Sequence, residues 1–267
     1  MSVRVCTYNV HWGIGMDGRR SLARVADVIG RIDPDVIAVQ ELDRTRRAKT
    51  DYEDQFTILR DRLGMDAAYA TTIERAPTEE SGGESRRYGH AIFTTGTIET
   101  SKTHSLPGPT DAEPRALLEA HVALDDGTVP IFAVHLGVDP DERVEQVHAI
   151  LDRVPSRAEA DHVLLGDLNA EPGSEPYHLL VDEGPYLDAV AAVDAADPTY
   201  PSPYAERDPE NEYVDDHVLT YVPRKRIDHA FVTPGIEPID GTVRRSLASD
   251  HSPVIADLDF VSSPTKP

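Results

Sequence analysis

The chain has 267 residues with an ordinary apolar content of 39%, enough for one large domain or two small ones with a buried core. Its charge is extreme, because 48 acidic residues stand against 26 basic ones, only four of them lysines, for a net charge of −22. No apolar stretch reaches about 18 residues and no basic-then-apolar leader is present, so the sequence argues against a membrane span or an export signal and predicts a cytoplasmic protein.

The acidic surface has two interpretations. So negative a surface repels nucleic acid at low salt, which favours avoidance of polyanions. Alternatively, the protein is adapted to a salt-rich cytoplasm, where the Debye length falls to about 3 Å at about 1 M salt. The dispersed acids and scarce lysines resemble halophile proteins and favour this second interpretation, under which surface charge says little about partners. Cys6 is the single cysteine, so it forms no intramolecular disulfide, and its apolar neighbours predict a buried thiol.

The first third predicts two strands and two helices from its apolar periodicity. Alternation in the first strand places Asn9 on its inward face, and Ser21 is typical of a helix N-cap. The predicted elements are a strand at residues 3–9, a helix from Ser21 through Ile29, a buried strand at 36–39 that ends on Gln40 and Glu41, and a helix over Gln55 to Leu63 that stops at Gly64.

The rest of the chain alternates polar segments with further strands. Residues 72–88 and 101–114 are polar and predict loops. The other predicted elements are strands at 89–94, 116–124, 129–134, 162–165, 227–233 and 254–260, a helix that begins at Asp139–Pro140, and a short helix at 175–181. A long Pro-, Asp- and Tyr-rich segment covers about 194–217. We predict one α+β domain over residues 1–260, with a flexible tail at 261–267.

Polar side chains close or flank six of the predicted strands. Each alone has a simple explanation, and Gly166 to Asn169 in particular has the composition of an ordinary turn. Six such strand ends together favour one converging site. The residues are Asn9, Glu41, His135, Asp167 with Asn169, Asp228, and Asp250 with His251.

The chemistry of this set suits a hard metal ion. Oxygen ligands such as Glu41, Asp250 and Asn9 favour Mg²⁺ or Mn²⁺ over zinc, which prefers cysteine or several histidines. Two histidines beside carboxylates supply a general base and a donor to a phosphate oxygen, and Asp228 is suited to orient His251. The inventory matches hydrolysis of a phosphate ester by a metal-activated water.

The order of the motifs resembles that of the endonuclease/exonuclease/phosphatase superfamily over residues 3 to 260. The motifs are Thr7-Tyr8-Asn9, Gln40-Glu41, Gly89-His90-Ala91-Ile92, His135, Gly166-Asp167-Leu168-Asn169, Ile227-Asp228-His229 and Ser249-Asp250-His251. This resemblance implies a four-layer α/β/β/α sandwich like that of pancreatic deoxyribonuclease, in which two mostly antiparallel sheets pack face to face with helices outside.

The resemblance also implies roles for the residues. Glu41 resembles the principal metal ligand, with Asn9 and Asp250 close to the ion. Asp167 resembles the group that positions or deprotonates the attacking water, and Asn169 one that holds the phosphate. His251, paired with Asp228, resembles the residue that binds or protonates the scissile phosphate. His135 resembles the second histidine of the deoxyribonuclease-like branch.

Several further residues have a structural explanation as well as a functional one. His229 is expected to be a packing histidine, and Trp12 is expected to pack within its loop rather than stack on substrate. The alternatives stay open for His11, His90 and Arg115, while Tyr200, Tyr204 and Tyr213 are by default surface-loop residues.

The sequence thus predicts a Mg²⁺- or Mn²⁺-dependent hydrolase that cleaves a phosphodiester, either as a nuclease or on a small molecule or lipid headgroup. The alternative is a non-catalytic relative that uses the pocket as an interaction module. The expected partner is a phosphodiester substrate, with nucleic acid among the candidates, and no obligate protein partner is evident.

Overall fold

A computed structural model describes residues 2–125, 127–156, 159–202 and 223–260. The strands in these residues are β1 Ser2–Asn9, β2 Val36–Arg44, β3 Asp66–Arg75, β4 Arg86–Thr94, β5 Thr97–Ser105, β6 Ala116–Leu124, β7 Gly127–His135, β8 Val163–Asp167, β9 Leu187–Asp188, β10 Asp228–Val232, β11 Ile236–Val243 and β12 Val254–Phe260. The α-helices are α1 Leu22–Ile32, α2 Gln55–Leu63, α3 Pro140–Leu151, α4 Glu175–His178 and α5 Ala189–Ala192.

Within the described residues, the strands form two six-stranded sheets that pack face to face. The first sheet has the order β11-β12-β1-β2-β4-β3, and the second has the order β5-β6-β7-β8-β10-β9. Each sheet contains one parallel pair, β1 with β2 and β7 with β8, and its other pairs are antiparallel. Helices cover the outer faces, so the architecture is the four-layer α+β sandwich that the sequence predicts.

Alternation along each strand divides its residues between two core layers. In β1, Val3 and Val5 lie in the layer between the sheets, whereas Cys6 and Tyr8 face the helices of the first sheet. Since side chains of a strand point to opposite faces in turn, a strand covered on both sides must be apolar throughout. Burial of each large apolar side chain stabilises the fold by about 1.5–3 kcal/mol.

Helices α1 and α2 begin at side-chain caps. Ser21 accepts a hydrogen bond from the backbone N–H of Arg24 at 3.2 Å, and Asp54 accepts one from that of Thr57 at 3.1 Å. Helix α1 ends at Ile32 rather than at the predicted Ile29. The chain leaves the helix at the next residue, which has a left-handed backbone, and so buries one further apolar side chain.

The structure differs from the prediction at two of the polar segments. Residues 72–75 and 86–88 extend β3 and β4 rather than belonging to a loop, and residues 101–105 lie in β5. Strands β3, β5, β9 and β11 were not predicted, and all four are the edges of their sheets. An edge strand pairs on one side only and can expose its side chains, as β5 does along most of its length, so apolar alternation does not reveal it.

The proposed tail at 261–267 and most of the Pro- and Tyr-rich segment lie outside the described residues. No helix among the described residues has the length and apolar character needed to cross a membrane.

Candidate active site

On the inner face of the second sheet, the apolar residues of the core are followed at one edge of the core by a row of polar residues. In β8, Val163 and Leu165 face the first sheet, and the next residue on that face is Asp167. Its neighbours across the ladder are His135 on β7 and Asp228 on β10. Adjacent strands lie about 4.8 Å apart, so the register alone places three ionisable side chains side by side.

The first sheet supplies Asn9 by the same alternation and Glu41 by an irregularity. The pairing of β2 with β4 shifts between Val39 and Leu42, and Glu41 at the bulge has a φ of 64°. Pairing resumes at Leu42 after the bulge, so β2 continues to Arg44 instead of ending at Glu41 as predicted. A left-handed backbone at a non-glycine residue is strained, and such strain is found mainly at functional sites.

Asn9 joins the two sheets across the edge of the core. Its side-chain Nδ2 donates to Glu41 Oε1 at 3.1 Å and to Asp167 Oδ2 at 3.0 Å. Its Oδ1 accepts from the backbone N–H of His11 at 3.1 Å. In this arrangement Asn9 orients the carboxylates of Glu41, the predicted metal ligand, and Asp167.

The segment that enters β12 carries the remaining pair. Ser249 Oγ donates to the backbone carbonyl of Asn9 at 2.7 Å, which fixes this segment to the end of β1. Asp250 then lies 3.5 Å from the ring of His11. His251 points into the site and is largely buried, with 6% of its surface exposed.

His251 bridges two carboxylates of the second sheet. Its Nδ1 lies 2.9 Å from Asp228 Oδ2, and its Nε2 lies 3.8 Å from Asp167 Oδ2. His135 approaches the same Asp167 oxygen at 3.5 Å. Tyr200 packs against the His251 ring, with ring centres 4.8 Å apart, and so covers the imidazole.

The turn after β8 holds Asn169 close to Asp167. The backbone N–H of Asn169 donates to Asp167 Oδ1 at 2.8 Å, and its side-chain Nδ2 donates to the carbonyl of Leu136 at 3.0 Å. Asn169 has a φ of 50°, in the left-handed region that asparagine tolerates. Gly166 is required for a different reason, because a Cβ at this position would lie 2.2 Å from the backbone oxygen of Val134 on β7.

The ionisable groups in the site have strongly perturbed pKa values. Burial opposes the imidazolium of His251, but the surrounding carboxylates, Asp228 foremost, outweigh burial and raise its pKa to about 10. Burial, together with the nearby Asp250 and Asp167 carboxylates, raises the pKa of Glu41 to about 7. Burial and the Asp228 carboxylate raise the pKa of Asp167 to about 6. Burial and the cationic Arg115 depress the pKa of His135 well below its ordinary value.

The donor set fits a divalent cation. Burial, with the Asp250 and Asp167 carboxylates nearby, raises the pKa of Glu41, and a bound cation would offset both the burial of its charge and the repulsion. Asp167, Asp228 and His251 also bring ligand atoms within 4.8 Å of one another. In that second group, however, His251 Nδ1 and Asp228 Oδ2 are already hydrogen-bonded to each other. The oxygen-rich side at Glu41 is therefore the better cation site.

The grouped residues surround one cleft of about 640 Å³. Six of the eight residues singled out from the sequence line it, namely Glu41, His135, Asp167, Asn169, Asp250 and His251, while Asn9 and Asp228 stand behind them. Sequence reasoning did not identify the lining residues Tyr88, Glu113, Val138, Arg143, Lys225 and Ile227. Two signals were available, since Tyr88 precedes the Gly89-His90 motif and Ile227 precedes Asp228.

The residues for which the sequence offered both a structural and a functional explanation lie in different environments. His229 is a packing histidine, as expected, since its ring contacts Asp188 at 3.3 Å and the carbonyl of Ala170 at 3.0 Å. His90 is buried, and this burial lowers its pKa to about 4. Arg115 lines the cleft and also pairs with Glu113 at 3.0 Å. His11, Trp12 and Tyr200 also line the cleft, while Tyr204 and Tyr213 lie outside the described residues.

The two packed sheets, with a buried acid–histidine cluster at their common edge, define the deoxyribonuclease-like class of sandwich folds. Residues 6–251 match the Endonuclease/Exonuclease/phosphatase family, and the chain belongs to that family. Endonucleases, exonucleases and phosphatases all act on phosphoester bonds, so the family is one of phosphoesterases. No curated protein sequence matches the chain significantly.

Several solved structures resemble the chain over nearly its whole length. An endonuclease/exonuclease/phosphatase from Beutenbergia cavernae is 25% identical, with a TM-score of 0.79 over 99% of this chain and 73% of its own. A mannosyl-6-phosphatase from Bacteroides thetaiotaomicron is 22% identical, with a TM-score of 0.71 over 97% of this chain and 100% of its own. D. rerio TDP2, complexed with a single-strand DNA product, is 16% identical, with a TM-score of 0.66 over 97% of this chain and 99% of its own.

Proposed function

We propose that this protein hydrolyses a phosphodiester by in-line attack of water, with Mg²⁺ or Mn²⁺ as its cofactor. The observation that carries the proposal is the placement of Asp167 between the Asn9–Glu41 pair of one sheet and the His251–Asp228 pair of the other. In this proposal, the cation-binding side, the group that accepts a proton and the group that donates one all face the same cleft.

Glu41 and Asp250 would hold the cation, with Asn9 beside them. When bound, the divalent ion supplies Lewis-acid polarisation of the phosphate and neutralises developing negative charge. The strained bulge at Glu41 supports this assignment, because it turns the carboxylate towards Asn9 and away from the packed core. Asn9 contributes by fixing the orientation of Glu41 relative to Asp167.

Asp167 is the group that we assign to the attacking water. A carboxylate whose pKa is raised to about 6 accepts a proton more readily than an ordinary aspartate at neutral pH. The backbone N–H of Asn169 holds one of its oxygens, which leaves the other facing the histidines. The Asn169 side chain lines the cleft and is suited to donate to a phosphate oxygen after a change of partner.

His251 is the group that we assign to the scissile phosphate as donor. Because Asp228 binds Nδ1, the imidazolium presents Nε2–H towards Asp167 and the cleft. Asp228 holds the ring and stabilises its charge without accepting its proton. His135 is kept neutral by burial and by Arg115, so it is suited to hydrogen bond a phosphate oxygen without adding charge.

The test is hydrolysis of bis-p-nitrophenyl phosphate with Mg²⁺ or Mn²⁺, at moderate and at molar salt. Glu41→Gln and His251→Ala should each lower kcat by about 10² or more, the usual loss when an acid–base or electrostatic group is removed. The matched controls are Glu145→Gln and His148→Ala, because both residues are exposed on α3. Undiminished activity in the site variants would overturn the proposal. Metal binding without turnover over a broad phosphoester panel would favour an interaction module instead.

The dispersed acids and scarce lysines support a further part of the proposal, that the protein works in a salt-rich cytoplasm. If this is so, activity at molar salt should match or exceed activity at moderate salt.

A further inference from the structure

A group of basic side chains lies beside the cleft without being part of it. Residues 44–49 contain four basic residues in six positions, although the chain as a whole carries a net charge of −22. Three of them, Arg46, Arg47 and Lys49, follow the end of β2 and border the cleft-lining residues Trp12 and Tyr88. We refer to Arg46, Arg47 and Lys49 as the basic rim.

The two arginines of the basic rim are fixed by one buried carboxylate. Asp43 is fully buried, and its oxygens lie 2.9 Å from Arg47 Nε and 3.6 Å from Arg46 NH1. Arg47 NH2 also donates to Asp43 at 3.0 Å. Because one negative charge serves two guanidinium groups, this part of the rim retains a net positive charge.

The aromatic residues place the cations at the border of the cleft. The Arg47 guanidinium lies 4.2 Å from the ring centre of Trp12, and the Lys49 ammonium lies 5.0 Å from it. Arg46 lies 4.2 Å from the ring centre of Tyr88. Aromatic faces stabilise cations at these distances, so the charges are held at the cleft instead of extending freely into solvent.

The nearby carboxylates other than Asp43 pair with arginines outside the rim. Arg44 pairs with Asp54 at 2.8 Å, and Asp51 and Glu53 both pair with Arg20. Glu113, whose charge also acts on Arg46, pairs with Arg115 at 3.0 Å. Lys49 is exposed, and within the described residues its ammonium pairs with no carboxylate. In the rim, Lys49 therefore has no carboxylate partner among the described residues, and Arg46 and Arg47 share the single charge of Asp43.

We propose that the basic rim binds a second phosphate group of the substrate, next to the ester that is cleaved. Guanidinium groups bind phosphate through a planar pair of donors, and the ammonium adds a point charge. The substrate class is then a phosphodiester that carries a neighbouring phosphate, a chemistry shared by oligonucleotides and by bisphosphorylated small molecules. This inference rests on the proposed function for its site, but the rim is tested separately.

The test compares ligands that differ only in the second phosphate. Turnover is measured with the p-nitrophenyl ester of thymidine 5′-phosphate, the same ester with a 3′-phosphate, and the same ester as the end of a short oligothymidylate. Binding of thymidine 5′-phosphate and thymidine 3′,5′-bisphosphate is measured by calorimetry, which requires no turnover. The variants are Lys49→Glu and, as a control with the same charge change on the exposed strand β5, Lys102→Glu. Ionic strength is held constant.

In the native protein, the second phosphate should lower KM or Kd by about five- to tenfold, the range expected for one or two well-placed surface cations. Lys49→Glu should abolish this gain and leave turnover of bis-p-nitrophenyl phosphate unchanged, and Lys102→Glu should retain it. A gain in the oligothymidylate alone identifies nucleic acid as the source, whereas a gain with the nucleoside bisphosphate admits a small molecule. The inference is overturned if no ligand gains from the second phosphate, or if both variants lose the gain equally. Failure of the proposed function would appear differently, as absence of bis-p-nitrophenyl phosphate hydrolysis.

Discussion

Glu41→Gln should make the metal-free protein more stable while removing its response to divalent metal. Glu41 is an acid whose folded-state pKa is about 7 instead of the ordinary 4.5, so its ionised form destabilises the folded state. Since a tenfold change in an acid constant is worth about 1.4 kcal/mol, full ionisation costs about 3 kcal/mol. Glutamine keeps the shape and the hydrogen bond from Asn9 without the charge.

The cost depends on pH in a defined direction. Below about pH 4.5 the carboxyl is protonated in both the folded and the unfolded state, so glutamine brings no electrostatic advantage. The advantage should grow between pH 4.5 and about 7 and stay constant above that. At pH 8 in EDTA, urea unfolding followed by circular dichroism should therefore show the variant more stable by about 2–3 kcal/mol.

Divalent metal should reverse the order of the two proteins. At a concentration about tenfold above its Kd, Mg²⁺ should stabilise the native protein by about 1.4 kcal/mol, which is a few degrees in Tm for a chain of this size. The variant should gain little, and Glu145→Gln should behave as the native protein does. A Glu41→Gln protein that is less stable than the native one in EDTA at pH 8 would refute the reasoning.

Three further substitutions test the site and its support. Asp228→Asn should lower kcat on bis-p-nitrophenyl phosphate by about 10² with little change in KM, because it releases the ring of His251 from its carboxylate. A rise in KM with kcat unchanged would contradict this role. Asp188 has its pKa lowered to about 2 because the neighbouring histidine and guanidinium outweigh burial, so Asp188→Asn should cost about 2 kcal/mol near pH 7, and the difference should shrink as pH falls from about 4 to 2. Gly166→Ala should destabilise the fold by about 3 kcal/mol or more through backbone clash, whereas Gly30→Ala, which meets open space in a helix, should be neutral or stabilising in the same thermal melt.

Much of the site could be predicted because it obeys strand alternation. Asn9, His135 and Asp167 each follow apolar residues on the face that packs between the sheets, and this periodicity is visible in the sequence. The sequence does not by itself predict that these side chains lie next to one another. Their proximity depends on the register that pairs Asp167 with His135 on one side and Asp228 on the other, and periodicity within one strand carries no information about its neighbour.

Glu41 shows where alternation is insufficient. Strict alternation would place it on the side of Val39, facing the helices, and the sequence contains no glycine to mark the bulge. The pairing of β2 with β4 is interrupted after Val39 and resumes at Leu42. Glu41 lies in the interruption, with a strained backbone. The edge strand β5 escaped prediction for another reason, since most of its side chains are exposed and it pairs with one neighbour only.

The two sides of the cleft belong to different sheets. The thickness of the apolar core between the sheets therefore sets the distance between the two sides. Glu41 belongs to β2 of the first sheet, and Asp228 belongs to β10 of the second. Packed interiors resist compression and transmit small changes in volume. A methylene group added to or removed from a residue such as Ile92, which lies between the sheets and does not line the cleft, should therefore alter the distance between the two sides of the cleft. Catalytic rate in this protein should be adjustable through the size of side chains that never contact the substrate.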